Sequence, residues 1–373
     1  MRKYWVGGLL ALLSLTLALW AGFGSSAKAA PAKQKLTKVT LQLKWVTQSQ
    51  FAGYYAAKAK GYYKAMGLDV NIKVGGPDIT PEQVVASGQA DFGLDWLPSL
   101  LATRDTGTDI VNIAQVFTRS GMTEVSFKDS GIDSIAKMKG KTVGVWCCGN
   151  QFELFAALTK NGMDPEKNQG VKIFNQPFDM NAFLNKQIDA ASAMTYNELA
   201  QVLETKNPTT GKLYTLKDLN VIKLESVGTG MLEDGVFVRG DWIKSPANQK
   251  TAINFLAASF QGWTYCRDHV QECTNIVLAN GPTLGRGHQL WEMNEINALI
   301  WPVRQGIGVM NATSFKRTAD IALKFKVIKN PASTGAYRTD LAKAADKILV
   351  KKNLDVNGLK WKKSVVAVTP GGK

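Results

Sequence analysis

The sequence is poor in the residues from which most catalytic and metal sites are built. Its 373 residues include two histidines, His269 and His288, and four cysteines, Cys147, Cys148, Cys266 and Cys273. None of these falls in a paired Cys-x-x-Cys spacing, so no structural metal is expected. There is no Gly-x-Ser-x-Gly elbow, no Walker loop and no Gly-x-Gly-x-x-Gly after a strand. Past the N-terminus no apolar run reaches the ~18 residues of a membrane helix, which excludes an integral membrane transporter. Acidic residues are also in deficit, 30 Asp+Glu against 45 Lys+Arg, for a formal net charge of +15. The lysines are dispersed, apart from a modest cluster at Lys351, Lys352, Lys360, Lys362 and Lys363. No helix-turn-helix, zinc finger or RNA-recognition motif accompanies them, so the excess reads as a solvated surface and no nucleic-acid partner is expected.

What is present is a well-stocked core. An apolar fraction of 45% excludes a disordered chain, and the length is too great for one compact core, so two domains are expected. Residues 1–29 read as a cleaved signal peptide. Arg2 and Lys3 precede the apolar stretch from Val6 to Phe23, and Ala27-Lys28-Ala29 fits a small-x-small cleavage site. No cysteine lies there to take a lipid anchor. In an oxidising compartment Cys266 and Cys273 are placed to form a disulfide, whereas a bridge between the neighbours Cys147 and Cys148 is strained.

The chain then repeats itself. Val39–Leu43 reads as a strand, Phe51–Met66 has helical spacing and stops at Gly67, and Leu68–Val74 alternates like a strand. A helix from Pro81 and a strand at Ala90–Leu94 complete a βαβαβ order, which implies an α/β fold with a parallel sheet between helices. The order restarts at Lys141–Val145, with a helix at Phe152–Asn161, strands at Val171–Phe174 and Ile188–Met194, and a helix between them. Trp45, Gln50 and Phe51 correspond without gaps to Trp146, Gln151 and Phe152. The joins Ser-Gly-Gln-Ala-Asp at 87–91 and Asn-Lys-Gln-Ile-Asp at 185–189 correspond as well. Beyond Glu225 the chain is mostly helical and is expected to return to the first domain. Lobe 1 is therefore read as 36–120 plus 232–345 and lobe 2 as 121–231, with two crossovers and a basic C-terminal tail at 346–373. Closure of the two lobes about these crossovers is expected on ligand binding.

Ligands bind beyond the carboxyl ends of parallel strands, beside helix N-termini. That rule selects Trp45 to Gln50, Asp78 and Asp95-Trp96 from one half, and Trp146 to Gln151 and Thr195-Tyr196-Asn197-Glu198 from the other. Aromatic residues next to acids and amides suit a flat, nitrogen-bearing ring. Each has a structural alternative: the tryptophans as core plugs, Asp95 as a turn residue, Glu198 as the start of a solvated helix. Asn150 and Glu153 stand at the spacing of a capping box. A thiol enzyme would use Cys147 or Cys148 at a helix N-terminus. Neither histidine falls in a segment expected to face the cleft, so such a thiol has no evident base.

The segments VTLQLKWVTQSQFAGYYAAKAKGYYKAMGL, GGPDITPEQVVASGQADFGLDW, VNIAQVFTRSGM, KGKTVGVWCCGNQFE and MTYNEL together resemble the ThiY-type substrate-binding proteins of ABC importers. That group also contains the yeast-type thiamine-pyrimidine synthases. The resemblance implies a two-lobed periplasmic-binding fold (type II) that captures a formyl-aminomethyl-pyrimidine type of thiamine precursor. It implies a periplasmic monomer that delivers its ligand to an ABC permease and its ATPase, without a cofactor and without catalytic residues. Matched motifs carry over Trp45, Tyr54, Asp95, Trp96, Trp146, Asn150, Glu153, Tyr196 and Glu198 as ligand-binding residues, to which the cleft rule adds Gln50. Cys147-Cys148 departs from the small residues expected in that loop, and neither histidine sits in a synthase motif. Riboflavin or another heterocycle is the alternative ligand. A pyrimidine-forming synthase, a thiol enzyme or a periplasmic sensor partner is the alternative class.

Overall fold

The computed structural model describes residues 35–373; the segment read as a signal peptide, 1–29, lies outside the described residues. Among the described residues, ten strands form two sheets. The first half contributes β1 (Thr37–Gln42), β2 (Leu68–Lys73), β3 (Phe92–Trp96) and β4 (Ile110–Gln115). The second contributes β5 (Met122–Phe127), β6 (Thr142–Val145), β7 (Lys172–Asn175), β8 (Ala190–Met194) and β9 (Leu219–Lys223), and β10 (Asp234–Arg239) follows. The strand orders are β2-β1-β3-β10-β4 and β7-β6-β8-β5-β9. Four strands of each sheet run in one direction, and the strand at the fourth position, delivered from the other sheet's chain, is antiparallel to them. The chain crosses between the sheets at 116–121 and again at 224–233, so each lobe is closed by a strand that follows a crossover.

The internal repeat is carried by hydrogen bonds as well as by order. Asp91 donates its N–H to Thr40 O and accepts Thr40 N–H on Oδ2 (3.0 and 2.8 Å). Asp189 does the same with Thr142 (2.9 and 2.8 Å). The joins before these aspartates need a left-handed residue, supplied by Gly88 (φ 77°) in one lobe and Lys186 (φ 56°) in the other. A glycine adopts that conformation at little cost and a lysine does not. The shared geometry is therefore imposed by the join rather than by the residue.

After β10 the helices Pro246–Asp268, Val270–Asn280, Arg286–Ile300, Ala312–Lys324 and Asp340–Val350 follow. The first packs on helix Ala52–Ala59, where Gly53 and Gly262 let the two backbones touch, since a Cβ on either would overlap the other helix. Phe255 from this helix stacks on Phe92 of β3 at 4.0 Å between ring centroids. Cys266 and Cys273 form a disulfide inside this lobe, and both are fully buried. Cys147 and Cys148 are also joined, contrary to the expectation that strain keeps neighbours apart.

The region read as a separate tail is part of the fold. Residue 346 lies inside helix Asp340–Val350, and Val356 is buried beyond it. Asn357 Nδ2 donates to Val303 O and Arg304 O (2.9 Å each). Ser364 and Asn294 exchange two bonds, and Gly371 N–H reaches Glu204 O on lobe 2 (2.9 Å). The lysine cluster decorates a packed segment. Periodic apolar residues are too few there to announce that packing in the sequence.

Candidate functional site

A narrow cleft lies between the lobes. Lobe 1 lines it with Lys44, Trp45, Gln48, Gln50 and Trp96, and lobe 2 with Trp146, Asn150, Met194, Tyr196, Asn197 and Glu198. All of these residues are buried, Trp45 the least so at 9% exposure. Trp45 and Trp146, corresponding residues of the two repeats, both line the cleft, as do Gln50, Trp96, Asn150, Tyr196 and Glu198.

On lobe 1 the polar groups are arranged around Asp234. Its carboxylate accepts Gln50 Nε2 (2.9 Å) and Trp96 Nε1 (3.0 Å), which fixes the amide and the indole ring. Burial pushes the Asp234 carboxyl up to about 7. Gln50 is held from behind as well. Glu292 accepts the N–H groups of Ser49 and Gln50 (3.3 and 3.1 Å), and burial pushes this carboxyl to about 8. Lys44, which sequence reasoning missed, lies in the cleft wall. It is ion-paired with Asp95, and its ammonium sits 4.8 Å from the centre of the Trp96 ring, within cation–π range.

On lobe 2 the loop after β8 is self-tied. Glu198 accepts Met194 N–H on Oε2 (3.0 Å) and Asn197 Nδ2 on Oε1 (2.9 Å). Burial raises its carboxyl to about 7. Each carboxylate oxygen retains a second lone pair, so Glu198 holds its loop and still has acceptor capacity. Asn150 Nδ2 donates to Cys147 O (2.7 Å), shaping the loop at the start of helix Phe152–Lys160. The Trp146 indole N–H is buried and has no partner among the described residues. A buried donor left unmade is costly, and this one belongs to a residue of the cleft wall.

Three expected site residues are placed elsewhere. Tyr54 is in the lobe 1 core, 5.7 Å edge-on from Trp263 and 6.5 Å from Phe255 between centroids. Its helix turns the tyrosine inward because Gly53 brings the long helix so close. Asp95 is buried behind the lining, engaged by Lys44 and by the backbone N–H of Trp96 (2.6 Å). Glu153 is at the hinge: it accepts Ser120 Oγ (2.7 Å) from the first crossover and Met231 N–H (2.9 Å) from the second. The capping box does not form, since Gln151 is the cap residue and no side chain bonds there. Glu233 lies beside Glu153 and accepts Gly121 N–H (2.6 Å). Burial pushes Glu153 to about 8, and burial together with Glu153 holds Glu233 well above the carboxylate range.

His288 is not among the residues lining the cleft, but it joins the lobes at its rim. It stands on helix Arg286–Ile300, with Nδ1 2.9 Å from Glu204 and Nε2 3.0 Å from Asn197 Oδ1. The partners flank helix Glu198–Leu203 on lobe 2, Asn197 just before its start and Glu204 just past its end. Trp291 of the same helix donates Nε1 to Thr195 O (3.0 Å). At the opposite rim, Ser99 Oγ of lobe 1 donates to Gly149 O of lobe 2 (3.2 Å). These rim contacts hold the lobes together in the closed arrangement.

The NMT1/THI5-like family profile matches residues 48–273. The chain belongs to the NMT1/THI5-like family. The formylaminopyrimidine-binding protein of Halalkalibacterium halodurans is 24% identical over 272 residues, 72% of this chain and 78% of that one. A 4-amino-5-hydroxymethyl-2-methylpyrimidine phosphate synthase of Saccharomyces cerevisiae is 27% identical over 138 residues, 36% of this chain and 40% of that one. The family thus spans binding proteins and synthases. Among solved structures, the periplasmic aliphatic sulphonate binding protein SsuA from Escherichia coli superposes with a TM-score of 0.59 at 14% identity, covering 79% of this chain and 94% of that one. The fold is the two-lobed periplasmic-binding fold, with two crossovers.

Proposed function

We propose that the protein is the exported solute-binding component of an ABC importer, capturing a thiamine pyrimidine precursor of the formyl-aminomethyl-pyrimidine type. The observation that carries the reading is the closed cleft with aromatic walls from both lobes and the Glu198 carboxylate between them. A ring is sandwiched by such walls, and a carboxylate with a free lone pair accepts a ring amino group. The name of the Halalkalibacterium halodurans relative supports the same ligand class, and the SsuA-like fold supports delivery to a permease.

The reading is of a carrier rather than a catalyst. Cys147 and Cys148 are joined to each other, and His288 is engaged by Glu204 and Asn197, so neither supplies a nucleophile with its base. The chain is read as a periplasmic monomer. The test is calorimetric titration of the purified mature protein with formylaminopyrimidine and with riboflavin. Binding of the pyrimidine at or below about micromolar Kd, roughly −8 kcal/mol, with no turnover over hours, supports the proposal. Tight riboflavin binding without pyrimidine binding overturns the ligand, and conversion of the bound molecule overturns the carrier.

A further inference from the structure

Beside the ring cleft lies a second concavity, larger than the first. Trp45, Trp146 and Asn150 line both, so the two spaces adjoin across the tryptophans. The outer space takes Pro77 and Asp78 from lobe 1, and Cys147, Pro177 and Phe178 from lobe 2. It is therefore completed only when the lobes are together.

Its chemistry differs from that of the inner cleft. Phe178 is 52% exposed, and the joined Cys147 and Cys148 are both exposed. Phe178 is a large apolar side chain left in water at the wall of a concavity, as at a binding surface rather than in a core. Two of the three amides on its wall are engaged: Asn150 bonds Cys147 O, and Gln176 exchanges bonds with Ser192 (2.9 and 3.1 Å). Asp78 is the only charged residue of the lining, and no lysine or arginine contributes. The wall thus offers apolar contact, aromatic faces and a single negative charge.

The loop that presents this wall is held in place. Cys148 and Gly149 have positive φ, 66° and 103°, and a Cβ at Gly149 would come within 2.5 Å of Ser99 Oγ. Gly149 is therefore required for the approach, and its carbonyl accepts the Ser99 hydroxyl from the other lobe.

We infer that the outer concavity is a second subsite, taking a neutral or positively charged second ring joined to the ring in the cleft. The site then accepts a two-ring molecule as well as a single substituted pyrimidine. A phosphate-bearing extension is disfavoured, since no cation lines the wall and Asp78 repels an anion. A cationic ring gains from Asp78 and from the tryptophan faces. The inference rests on the ring-cleft reading of the preceding section.

The test is calorimetry on the disulfide-intact mature protein with three probes: formylaminopyrimidine, thiamine and thiamine diphosphate. The first has the pyrimidine alone, the second adds a cationic ring, and the third adds negative charge. Thiamine is expected to bind at least as tightly as formylaminopyrimidine, and thiamine diphosphate at least tenfold more weakly than thiamine. Phe178→Ala and Asp78→Asn are each expected to weaken thiamine about fivefold and to leave formylaminopyrimidine within about twofold. Binding of formylaminopyrimidine with thiamine excluded overturns the subsite and leaves the ring cleft standing. Variants that leave thiamine unmoved, or weaken both probes equally, overturn it as well. Binding of neither pyrimidine removes the ring-cleft reading and the subsite with it.

Discussion

Glu153→Gln separates a hinge residue from a ligand contact. Glu153 is fully buried and bonds both crossovers, Ser120 Oγ at 2.7 Å and Met231 N–H at 2.9 Å. Burial pushes its carboxyl to about 8, so at neutral pH the native state carries the acid form. Glutamine reproduces that form: its carbonyl accepts Met231 N–H and its amide donates to Ser120 Oγ. Unfolded, a glutamate ionises near 4.3, so between that value and about 8 the unfolded chain binds fewer protons than the native one. Stability contributed by this group therefore falls as pH rises through that window. Glutamine has no such loss. At about 1.36 kcal/mol per tenfold in proton affinity, the substitution should stabilise by roughly 2–3 kcal/mol more at about pH 8.5 than at about pH 5.5. Urea unfolding at the two pH values reads that difference. Calorimetry at about pH 6 should meanwhile show ring-ligand affinity within about twofold of the parent. Equal stability changes at both pH values would mean an ionised carboxylate. A tenfold affinity loss would restore Glu153 to the ligand.

Trp146→Ala should weaken every ring ligand by roughly tenfold or more, since an aromatic contact contributes about 0.5–1.5 kcal/mol beyond its burial. Glu198→Gln should weaken ligands bearing a ring amino group by about ten- to a hundredfold; equal losses for amino and des-amino ligands would leave Glu198 only its bonds to Met194 and Asn197. Reducing Cys266–Cys273, or replacing both by serine, should cost roughly 2–3 kcal/mol of stability without moving Kd, as chemical denaturation and calorimetry will show. The His288 imidazole is raised above its usual value by Glu204, Glu292 and Glu198 despite burial, so its contribution to the closed state is full below about 6.5 and is lost as pH rises through the raised value. Ligand affinity should fall across that interval, and His288→Gln should flatten the fall in a calorimetric pH series.

The repeat was legible because its signals are local. Gly67, the Gln-x-Asp joins and the tryptophans at strand ends lie within a few residues of the geometry they set. The same proximity exposed Trp45, Trp146, Tyr196 and Glu198. Other site features were hidden by distance along the chain. The Lys44–Asp95 pair spans 51 residues, and the bond from Ser49 to Glu292 spans 243. Glu153 was misread because its position four residues into a loop-helix junction satisfies a capping rule, while its true partners come from two crossovers. Tyr54 was carried over from the matched motif, and a motif does not say which face a close-packed glycine neighbour will turn inward. His288 belongs to a helix with polar residues on several sides, and nothing local marks the lobe it touches.

Closing the cleft and reading the ligand are carried by different residues. Ser99 with Gly149, Trp291 with Thr195, and His288 with Asn197 and Glu204 lie around the rim and join one lobe to the other. Inside, Trp146 offers an unpartnered indole N–H and Glu198 a free lone pair, while Lys44 has its charge balanced by Asp95. The rim bonds form whenever the lobes meet, whatever ring lies between them, so they favour every ligand that fits by a similar amount. Only the interior donors and acceptors distinguish one ring from another, because a mismatch there leaves a buried polar group unmade. Substitutions at the rim should accordingly scale the affinities of all ring ligands together, whereas substitutions at Trp146 and Glu198 should change their order.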